Sequence, residues 1–469
     1  MLTASLNEAP VSLDPEGAES VNGGTDEVCG NTLSGLVARN AAGALVKGPL
    51  TSSWSQPNAD TWNFALNPQA RWSNGTPVTS ADVKASLEET VKLGGPTSPL
   101  FAAVTTVDTP SANDVVIHTS TPVGELLANL TMLYIGPAAD VANPTYWNKP
   151  LSSGPYMVQN FVPDESVTLV ANPDWWGAPA KVHEVKLTFY ANETDETTAI
   201  ASGSLDYAFD LTETQLQDLQ HASGVTVGSL PSYYYYIIWF NDSQKPFTNP
   251  KVRQAMWYAL PIASINKALF GITATTAHGI VPGSIPGAAN EPPYPYDPAK
   301  AKQLLAEAGY PKGFITSITF EPGLSPNINN LLAAYQAYWA QVGVTVELVE
   351  QDPATYITDL LALKWSMTSV ASASLNGTQD YILGRLFNSS AHRMGYSNPT
   401  VDKLIAQAEA TSSLTLQTKL WGEVSNILWT NAVGIYPLWL KDVYAMRSNV
   451  KGVILPPNEI PVFSSATVG

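Results

Sequence analysis

Few residues of this sequence have the types and the spacing that catalysis requires. Ser264 and Lys267 match the S-x-x-K spacing of some acyl-transfer enzymes, in which the lysine lies one helical turn from the serine. The Ser-Asp-Asn and Lys-Thr-Gly motifs that accompany it are absent, as are G-x-S-x-G, H-E-x-x-H and G-x-x-x-x-G-K-[ST]. Ser264 and Lys267 therefore fit an exposed helix face, and we expect no catalytic residue and no enzymatic activity.

The residue types that bind metals are also poorly placed. The five histidines are too far apart for a helical i, i+4 pair, and a single cysteine, Cys29, cannot build a local zinc cluster. We therefore expect no metal and no cofactor, although a site formed only by the folded chain stays open. The 40 acidic residues could supply an acid and a base, but their spacing nominates no pair. The histidines are His118, His183, His221, His278 and His392.

Length and composition limit the classes of protein that fit. A chain of 469 residues with 45% hydrophobic residues predicts a globular protein of two or three packed units. Its net charge of −17 would repel phosphate backbones and anionic lipid surfaces, so we expect no nucleic acid partner. No apolar run of about 18 residues is present, so no segment is predicted to span a bilayer. No targeting segment is visible, which fits either a cytosolic protein or a trimmed exported one.

Helix and strand patterns alternate along the chain, which predicts an α/β fold with mixed β-sheets flanked by helices. Thr79 with Asp82 predicts a capping box, and Asn249 followed by Pro250 predicts the start of another helix. Residues 344–350 alternate between apolar and polar types, which predicts a strand. Further helices are predicted at about 298–308, 327–342, 353–363, 399–410 and 416–430.

Several short blocks follow one another in an order that is typical of one protein family. Each block is weak alone, but their joint order and spacing make chance a poor explanation. Together they resemble the family-5 (peptide-type) extracytoplasmic solute-binding proteins of bacterial ABC importers, and they cover most of the chain. The blocks are residues 11–15 (VSLDP), 72–83 (WSNGTPVTSADV), 153–156 (SGPY), 172–176 (NPDWW), 246–255 (PFTNPKVRQA) and 297–310 (DPAKAKQLLAEAGY).

The resemblance implies a two-lobed periplasmic-binding-protein fold, the Venus-flytrap arrangement, with an extra inserted small domain. Lobe I would comprise residues 1–47, 151–236 and 440–469, the inserted domain residues 48–150, and lobe II residues 237–439. The resemblance further implies a monomer outside the cytoplasm, either periplasmic or anchored to the cell surface as a lipoprotein. Such a protein captures a solute between its lobes and delivers it to the ABC permease subunits in the membrane. Some family members carry nickel.

In dipeptide-binding relatives, an Asp on a ligand-facing loop neutralises the ammonium group of the ligand, and an Arg pairs with its carboxylate. The resemblance aligns the acidic position with Leu375 and the arginine position with Asn329, so both charged partners are missing. A buried ion without a partner is costly, so we predict that the ligand is not a free dipeptide. We expect an oligopeptide, or a neutral peptide-like or oligosaccharide solute. If the alignment is shifted, Asp380, Arg385 and Arg393 are the charged residues nearby.

Further ligand-binding residues are predicted beside these two positions. Small side chains at Ser372 and Ser374 would enlarge a cavity, and the Asn376 amide can both donate and accept hydrogen bonds. Aromatic side chains near the expected hinge or cleft are suited to grip a trapped ligand. These aromatic residues are Trp239, Trp365 and Trp439.

A glycine pair near the start of the chain is a second candidate region. The resemblance places Gly23, Gly24 and Thr25 where relatives have a strand along the ligand. Glycine there would permit close approach of the backbone to the ligand. A flexible surface turn explains the same residues.

Two other classes of protein stay open as alternatives. One is a secreted glycan hydrolase, which the many carboxylates could serve. The other is a receptor module that binds peptides without transport. Turnover of chromogenic glycosides would reveal the first, and a neighbouring permease gene would argue against the second.

Overall fold

The computed structural model describes residues 1–18 and 20–469, which form two compact units. Unit 1 contains Met1–Leu230 and Asp442–Gly469, and unit 2 contains Pro231–Lys441. Both units combine β-sheets with α-helices, so the predicted α/β class with mixed sheets is confirmed.

The strands are numbered in chain order. They are β1 (Leu2–Leu6), β2 (Val37–Arg39), β3 (Leu45–Lys47), β4 (Thr51–Asn58), β5 (Thr61–Leu66), β6 (Val104–Ser111), β7 (Asp114–Thr119), β8 (Tyr156–Val162), β9 (Ser166–Ala171), β10 (Glu184–Phe189), β11 (Tyr207–Phe209), β12 (Val225–Phe240), β13 (Ala274–Thr276), β14 (Phe314–Phe320), β15 (Val344–Glu350), β16 (Met367–Ala373), β17 (Gly434–Arg447), β18 (Val450–Lys451) and β19 (Thr467–Val468). Strands β12 and β17 contain the boundaries between the two units.

The α-helices follow the same order. They are α1 (Gly23–Thr32), α2 (Ser80–Leu93), α3 (Leu126–Asn129), α4 (Glu193–Ser202), α5 (Glu213–Leu219), α6 (Pro250–Tyr258), α7 (Ile262–Leu269), α8 (Pro298–Glu307), α9 (Pro326–Gln341), α10 (Pro353–Leu361), α11 (Asp380–Phe387), α12 (Pro399–Glu409) and α13 (Leu414–Thr430). Within the described ranges, no helix has both the length and the apolar character that crossing a membrane requires.

Unit 1 contains two larger sheets. In the first, the order is β11-β1-β10-β9-β8, where β1 is parallel to β10 and β11 while β9 is antiparallel to both of its neighbours. The second is antiparallel, has the order β4-β5-β7-β6, and is covered by α2. Trp62, Phe64, Trp72 and Leu87 belong to the apolar core of this second sheet. The boundaries 48–150 of an inserted domain stay a prediction.

Unit 2 is built on a mixed sheet with the order β15-β14-β16-β12-β17, and β13 pairs with β17. Strand β14 is parallel to β15 and β16, whereas β12 is antiparallel to β16. Large aromatic residues pack against the sheet from the helices, and their indole N–H groups bond to backbone carbonyls. Trp339 donates to Met256 O at 2.9 Å and Trp257 donates to Gly434 O at 2.8 Å. These bonds satisfy polar groups that the core would otherwise leave unpaired.

The helix starts that the sequence predicts are present. The Asp82 carboxylate accepts a hydrogen bond from the backbone N–H of Thr79 at 2.7 Å, as the capping box requires. Asn249 caps α6 by accepting from the backbone N–H of Lys251 at 3.0 Å, and Pro250 occupies the first turn, where no amide hydrogen is needed. The strand predicted at 344–350 is β15. These elements were predictable because their signals are local.

A buried ion pair joins three parts of unit 2. Asp242 follows β12, Arg253 lies in α6, and Arg253 Nε is 3.2 Å from Asp242 Oδ1 with both side chains buried (3% exposed for Asp242 and 5% for Arg253). The guanidinium also donates to the carbonyls of Phe247, Asn431 and Ala432, so it binds the chain after α13 as well. Burial raises the pKa of Asp242 well above its ordinary value, and Arg253 opposes that rise. Burial therefore favours the neutral form of Asp242, and Arg253 favours its charged form.

Replacing Arg253 by methionine should destabilise the protein strongly. The variant keeps much of the side-chain volume but leaves Asp242 buried without its cation, which typically costs about 3–5 kcal/mol. Urea unfolding should show a smaller loss at pH 5 than at pH 8, because protonation of Asp242 removes the unpaired charge. Lys251→Met is the matched control, since Lys251 lies in the same helix but pairs with Glu307 at the surface. Equal, small losses in both variants would contradict the role assigned to Arg253.

Candidate ligand-binding site

The first candidate region, Gly23 to Thr25, begins helix α1. The strand expected there is therefore wrong. Asn22 caps the helix by accepting from the Thr25 backbone N–H at 2.9 Å, and Thr25 Oγ1 donates to Ser12 O at 2.7 Å. A Cβ added to Gly24 would overlap Glu8 O, so this glycine permits a close approach of two chain segments. Local packing thus accounts for Gly24.

Glu27 of α1 is a buried carboxyl with other carboxyls near it. Glu27 is fully buried and accepts a hydrogen bond from the backbone N–H of Asn7 at 3.0 Å. Burial, followed by the charges of Asp210, Asp26 and Glu196, raises the pKa of Glu27 well above its ordinary value. The neutral form of Glu27 is therefore favoured.

In the part of the chain that the structure describes, no three His, Cys, Asp or Glu side chains are grouped to hold a metal ion.

The second candidate region is the end of β16 and the loop between β16 and α11, where Ser372 lies in the strand and three predicted residues lie in the loop. Ser372 is paired with Tyr235 of β12, and Leu375 is half-buried. Ser374 Oγ donates to Thr378 O at 2.9 Å and accepts from the Thr378 backbone N–H at 2.9 Å. Asn376 Oδ1 accepts from Thr378 Oγ1, also at 2.9 Å. The side chains of Ser374 and Asn376 therefore hold the loop together.

Gly377 fixes how this loop packs. Its φ of 63° lies in the left-handed region, and a Cβ there would come within 2.6 Å of the Tyr233 ring. The loop therefore lies directly on Tyr233 of β12. The half-buried Leu375 belongs to the same loop. It carries no charge, and the resemblance aligns it with the acidic residue of dipeptide-binding relatives.

The remaining predicted residues lie apart from this loop in sequence. Asn329 is exposed on α9 and its amide donates to Leu324 O at 3.1 Å. Trp239 and Trp365 belong to the apolar core of unit 2, and Trp365 Nε1 donates to Leu360 O at 3.1 Å. Trp439 is half-buried, and a Cβ on Gly283 would approach its ring to 3.0 Å. Of the three tryptophans, Trp439 has the most accessible ring.

The S-x-x-K motif lies on α7, where Ser264 and Lys267 are both exposed. The interpretation of these residues as an exposed helix face is confirmed.

Sequence reasoning named Asp380 and Arg385 only as substitutes for charged partners, and it missed the residues that bind them. Arg385 Cζ lies 4.4 Å from the ring centroid of Tyr381, in a cation–π contact. Tyr381 and Arg385 are four residues apart, a spacing that places them on one face of a helix, but the sequence analysis predicted no helix there. The partner of Asp380 is Glu409, 29 residues later, which no local pattern indicates.

Asp380 and Glu409 form a carboxyl pair between α11 and α12. A Cβ at Gly384 would overlap Asp380 Oδ1 and lie 3.1 Å from Glu409 Oε1, so glycine makes room for the pair. Burial, followed by the charge of Asp380 and the hydrogen bond between the two, raises the pKa of Glu409 to about 7. Because Asp380 is engaged with Glu409, it is poorly suited to replace the missing acidic residue at Leu375.

Comparison with known proteins identifies the class. The model of the bacterial extracellular solute-binding proteins, family 5 Middle, matches residues 44–393. The chain belongs to this family, as the sequence blocks indicated. It is 28% identical over 433 residues to the glutathione-binding protein GsiB of Pectobacterium atrosepticum, with 87% of this chain and 82% of the relative covered.

Solved structures show the same fold. HbpA2 from Haemophilus parasuis superposes with a TM-score of 0.90 at 21% identity, covering 100% of this chain and 99% of the other. The unliganded open form of MppA, a periplasmic murein tripeptide binding protein, gives a TM-score of 0.87 at 22% identity and covers 100% and 97% of the two chains. The fold class predicted from the resemblance is therefore confirmed.

Replacing Glu409 by glutamine should flatten the dependence of stability on pH. A carboxyl whose folded-state pKa is raised stabilises the fold below its ordinary pKa of 4.5, and this contribution is lost as the pH rises through about 7. Between pH 5 and pH 8 the wild type should therefore lose about 1 kcal/mol more stability than Glu409→Gln does, allowing for solvent screening. Urea unfolding at both pH values measures this difference, with the exposed Glu347→Gln as control. Parallel curves for wild type and Glu409→Gln would contradict the assignment.

Proposed function

We propose that this chain is the extracytoplasmic solute-binding component of a bacterial ABC importer, which captures a solute and delivers it to permease subunits in the membrane. The observation that carries the proposal is the family match over residues 44–393, supported by a fold likeness that covers the whole chain. The proposal includes a monomer, in the periplasm or anchored by a lipid to the cell surface. It also includes lobes at 1–47 with 151–236 and 440–469, and at 237–439, with residues 48–150 as the inserted domain.

The proposed ligand is an oligopeptide, or a neutral peptide-like or oligosaccharide solute, and not a free dipeptide. The charge pattern of unit 2 supports this choice. Leu375 offers no carboxylate to an ammonium group, and Asn329 offers no cation to a carboxylate. A dipeptide carries both charges close together, and each would lose hydration on binding without a fixed partner at these two positions.

The names of the relatives favour the peptide alternative. One relative is called a glutathione-binding protein and another a murein tripeptide binding protein. Both ligands are longer than a dipeptide and consist of amino acids. A solute of this size and chemistry is therefore the first to test for this chain.

The proposed role needs binding without chemical change. Ser264 and Lys267, which have the spacing of an acyl-transfer pair, lie on an exposed helix face, and the Ser-Asp-Asn and Lys-Thr-Gly motifs that accompany such a pair are absent from the sequence. The proposal accordingly includes no catalysis and no cofactor. Incubation with a panel of chromogenic glycosides and peptides should leave them intact, and turnover of any member would contradict this part of the proposal.

Isothermal titration calorimetry at neutral pH tests the ligand class. We expect unblocked dipeptides to bind more weakly than micromolar, and at least one tripeptide, longer peptide or neutral oligosaccharide to bind in the micromolar range or tighter. Native mass spectrometry of protein purified without denaturation should show a retained solute of matching mass. Micromolar binding of dipeptides would overturn the ligand class. Failure of every solute, together with no retained mass, would overturn the solute-binding role of this chain.

A further inference from the structure

The Asp380–Glu409 pair joins the ends of two helices. Asp380 is the first residue of α11, and Glu409 is the last residue of α12, which packs against α11. A Cβ on Gly384, one turn after Asp380, would overlap Asp380 Oδ1 and lie 3.1 Å from Glu409 Oε1, so both oxygens lie beside the same point of the α11 backbone. Two carboxylates in such a place repel each other, and a proton shared between them replaces the repulsion by a hydrogen bond.

The positions of the two residues in their helices indicate which carboxyl holds the proton. The N-terminal end of a helix carries a partial positive charge and favours a carboxylate, whereas the C-terminal end disfavours one. Asp380 lies at the favourable end of α11, and Glu409 lies at the unfavourable end of α12. Glu409 is therefore the donor of the shared proton and Asp380 is the charged acceptor. The rise of the Glu409 pKa to about 7, caused first by burial and then by Asp380, agrees with this assignment.

Other charged groups lie on the elements that pack against the pair, which are α13 and the turn at 389–391 in addition to α11 and α12. On α11, the Arg385 guanidinium lies over the Tyr381 ring. On α13, Lys419 and Glu423 pair with each other at the surface, 3.9 Å apart. Across residues 1–18 and 20–469, no ion pair includes Glu409, so no salt bridge holds Glu409 in its charged form. The remaining charged or titratable residues of these elements and of the segment that follows the turn are His392, Arg393, Asp402 and Lys403.

The first turn of α11 is joined to the β16–α11 loop. The Tyr381 backbone N–H donates to Thr378 Oγ1 at 3.2 Å, and the Thr378 backbone N–H donates to Ser374 Oγ at 2.9 Å. Gln379, which precedes the helix, provides no side-chain cap. From Leu383 onward, buried apolar side chains hold α11 in the core of unit 2. Loss of the contact with Glu409 should therefore affect the first turn and the loop, and leave the rest of the helix in place.

We propose that the Asp380–Glu409 pair is a proton-dependent contact that orders the β16–α11 loop, and that loss of the shared proton releases the first turn of α11 and weakens solute binding. The proton passes from Glu409 to solvent, and the hydrogen bond is replaced by repulsion between two carboxylates. Because the folded-state pKa of Glu409 is raised, the contact is present at acidic pH and is lost as the pH rises through about 7. The part on solute binding rests on the proposed function, since this loop contains Ser374, Leu375 and Asn376, which are predicted to contact the solute.

Hydrogen exchange of residues 374–383 in the whole chain, measured by mass spectrometry, tests the order of the loop without any solute. After correction for the intrinsic exchange rate, we expect the opening of this segment in the wild type to rise about tenfold between pH 5 and pH 8. Glu409→Gln should show no such rise, because its amide can donate to Asp380 at both pH values. Asp380→Asn should show none either, because no second charge remains to repel Glu409. Glu423→Gln, which removes an exposed carboxyl of α13, is the matched control and should behave as the wild type does.

Calorimetry with glutathione and with tetraalanine tests the link to solute binding. Between pH 5 and pH 8, we expect the affinity of the wild type for at least one of these probes to fall about five- to tenfold more than that of Glu409→Gln. Because both proteins meet the same probe at each pH, ionisation of the probe itself cancels in the comparison. An equal fall in the two proteins would overturn the link between the shared proton and binding.

Two exchange results would overturn the inference as a whole. One is equal exchange of the wild type and Glu409→Gln at both pH values, and the other is a rise with pH that persists in Asp380→Asn. If the folded wild type binds neither probe and retains no solute in native mass spectrometry, the proposed function fails instead, and the exchange of residues 374–383 still decides whether the pair orders the loop. Urea unfolding of each variant at both pH values separates release of the loop from loss of the whole fold.

Discussion

The pairing of Asp242 with Arg253 determines much of the geometry of unit 2. Asp242 lies just after β12, and Arg253 connects it to α6 and to the carbonyls that follow α13. Strand β12 is thereby held at the end where the chain leaves the sheet. Because β16 pairs with β12 along its length, the position of the β16–α11 loop depends on the same contact. A buried charge pair of this kind is sensitive to the loss of either partner, since the survivor has no water to solvate it.

The polar residues of the β16–α11 loop stabilise the loop itself. Ser374 and Asn376 have the chemistry of ligand-binding residues, but their side chains bond mainly within the loop. Their contribution is to order Thr378 and the start of α11, and so to orient Tyr381.

Not all acidic side chains of this protein are in an environment that favours their charged form. The net charge of −17 arises from 40 acidic against 23 basic residues, yet several carboxyls are buried and shifted toward their neutral forms. Glu27 in α1 and Glu409 in α12 are examples, and in both cases burial is the largest cause.

The sequence alone determined the elements whose signals are local, and through the family blocks it also indicated the fold. The caps at Thr79 and Asn249, the strand at 344–350 and the exposed face of Ser264 and Lys267 follow from spacing, because each depends on residues within a few positions of one another. The prediction of a strand at Gly23 to Thr25 was wrong, because Asn22 caps a helix there. Only the tertiary structure decided the partners of Asp242 and Asp380 and the packing of the β16–α11 loop on Tyr233. Glu409 contacts Asp380, and Ser372 pairs with Tyr235, although the residues of each pair are far apart in sequence. Burial and charge pairing depend on neighbours in space, and a periodic pattern in the sequence does not reveal such neighbours.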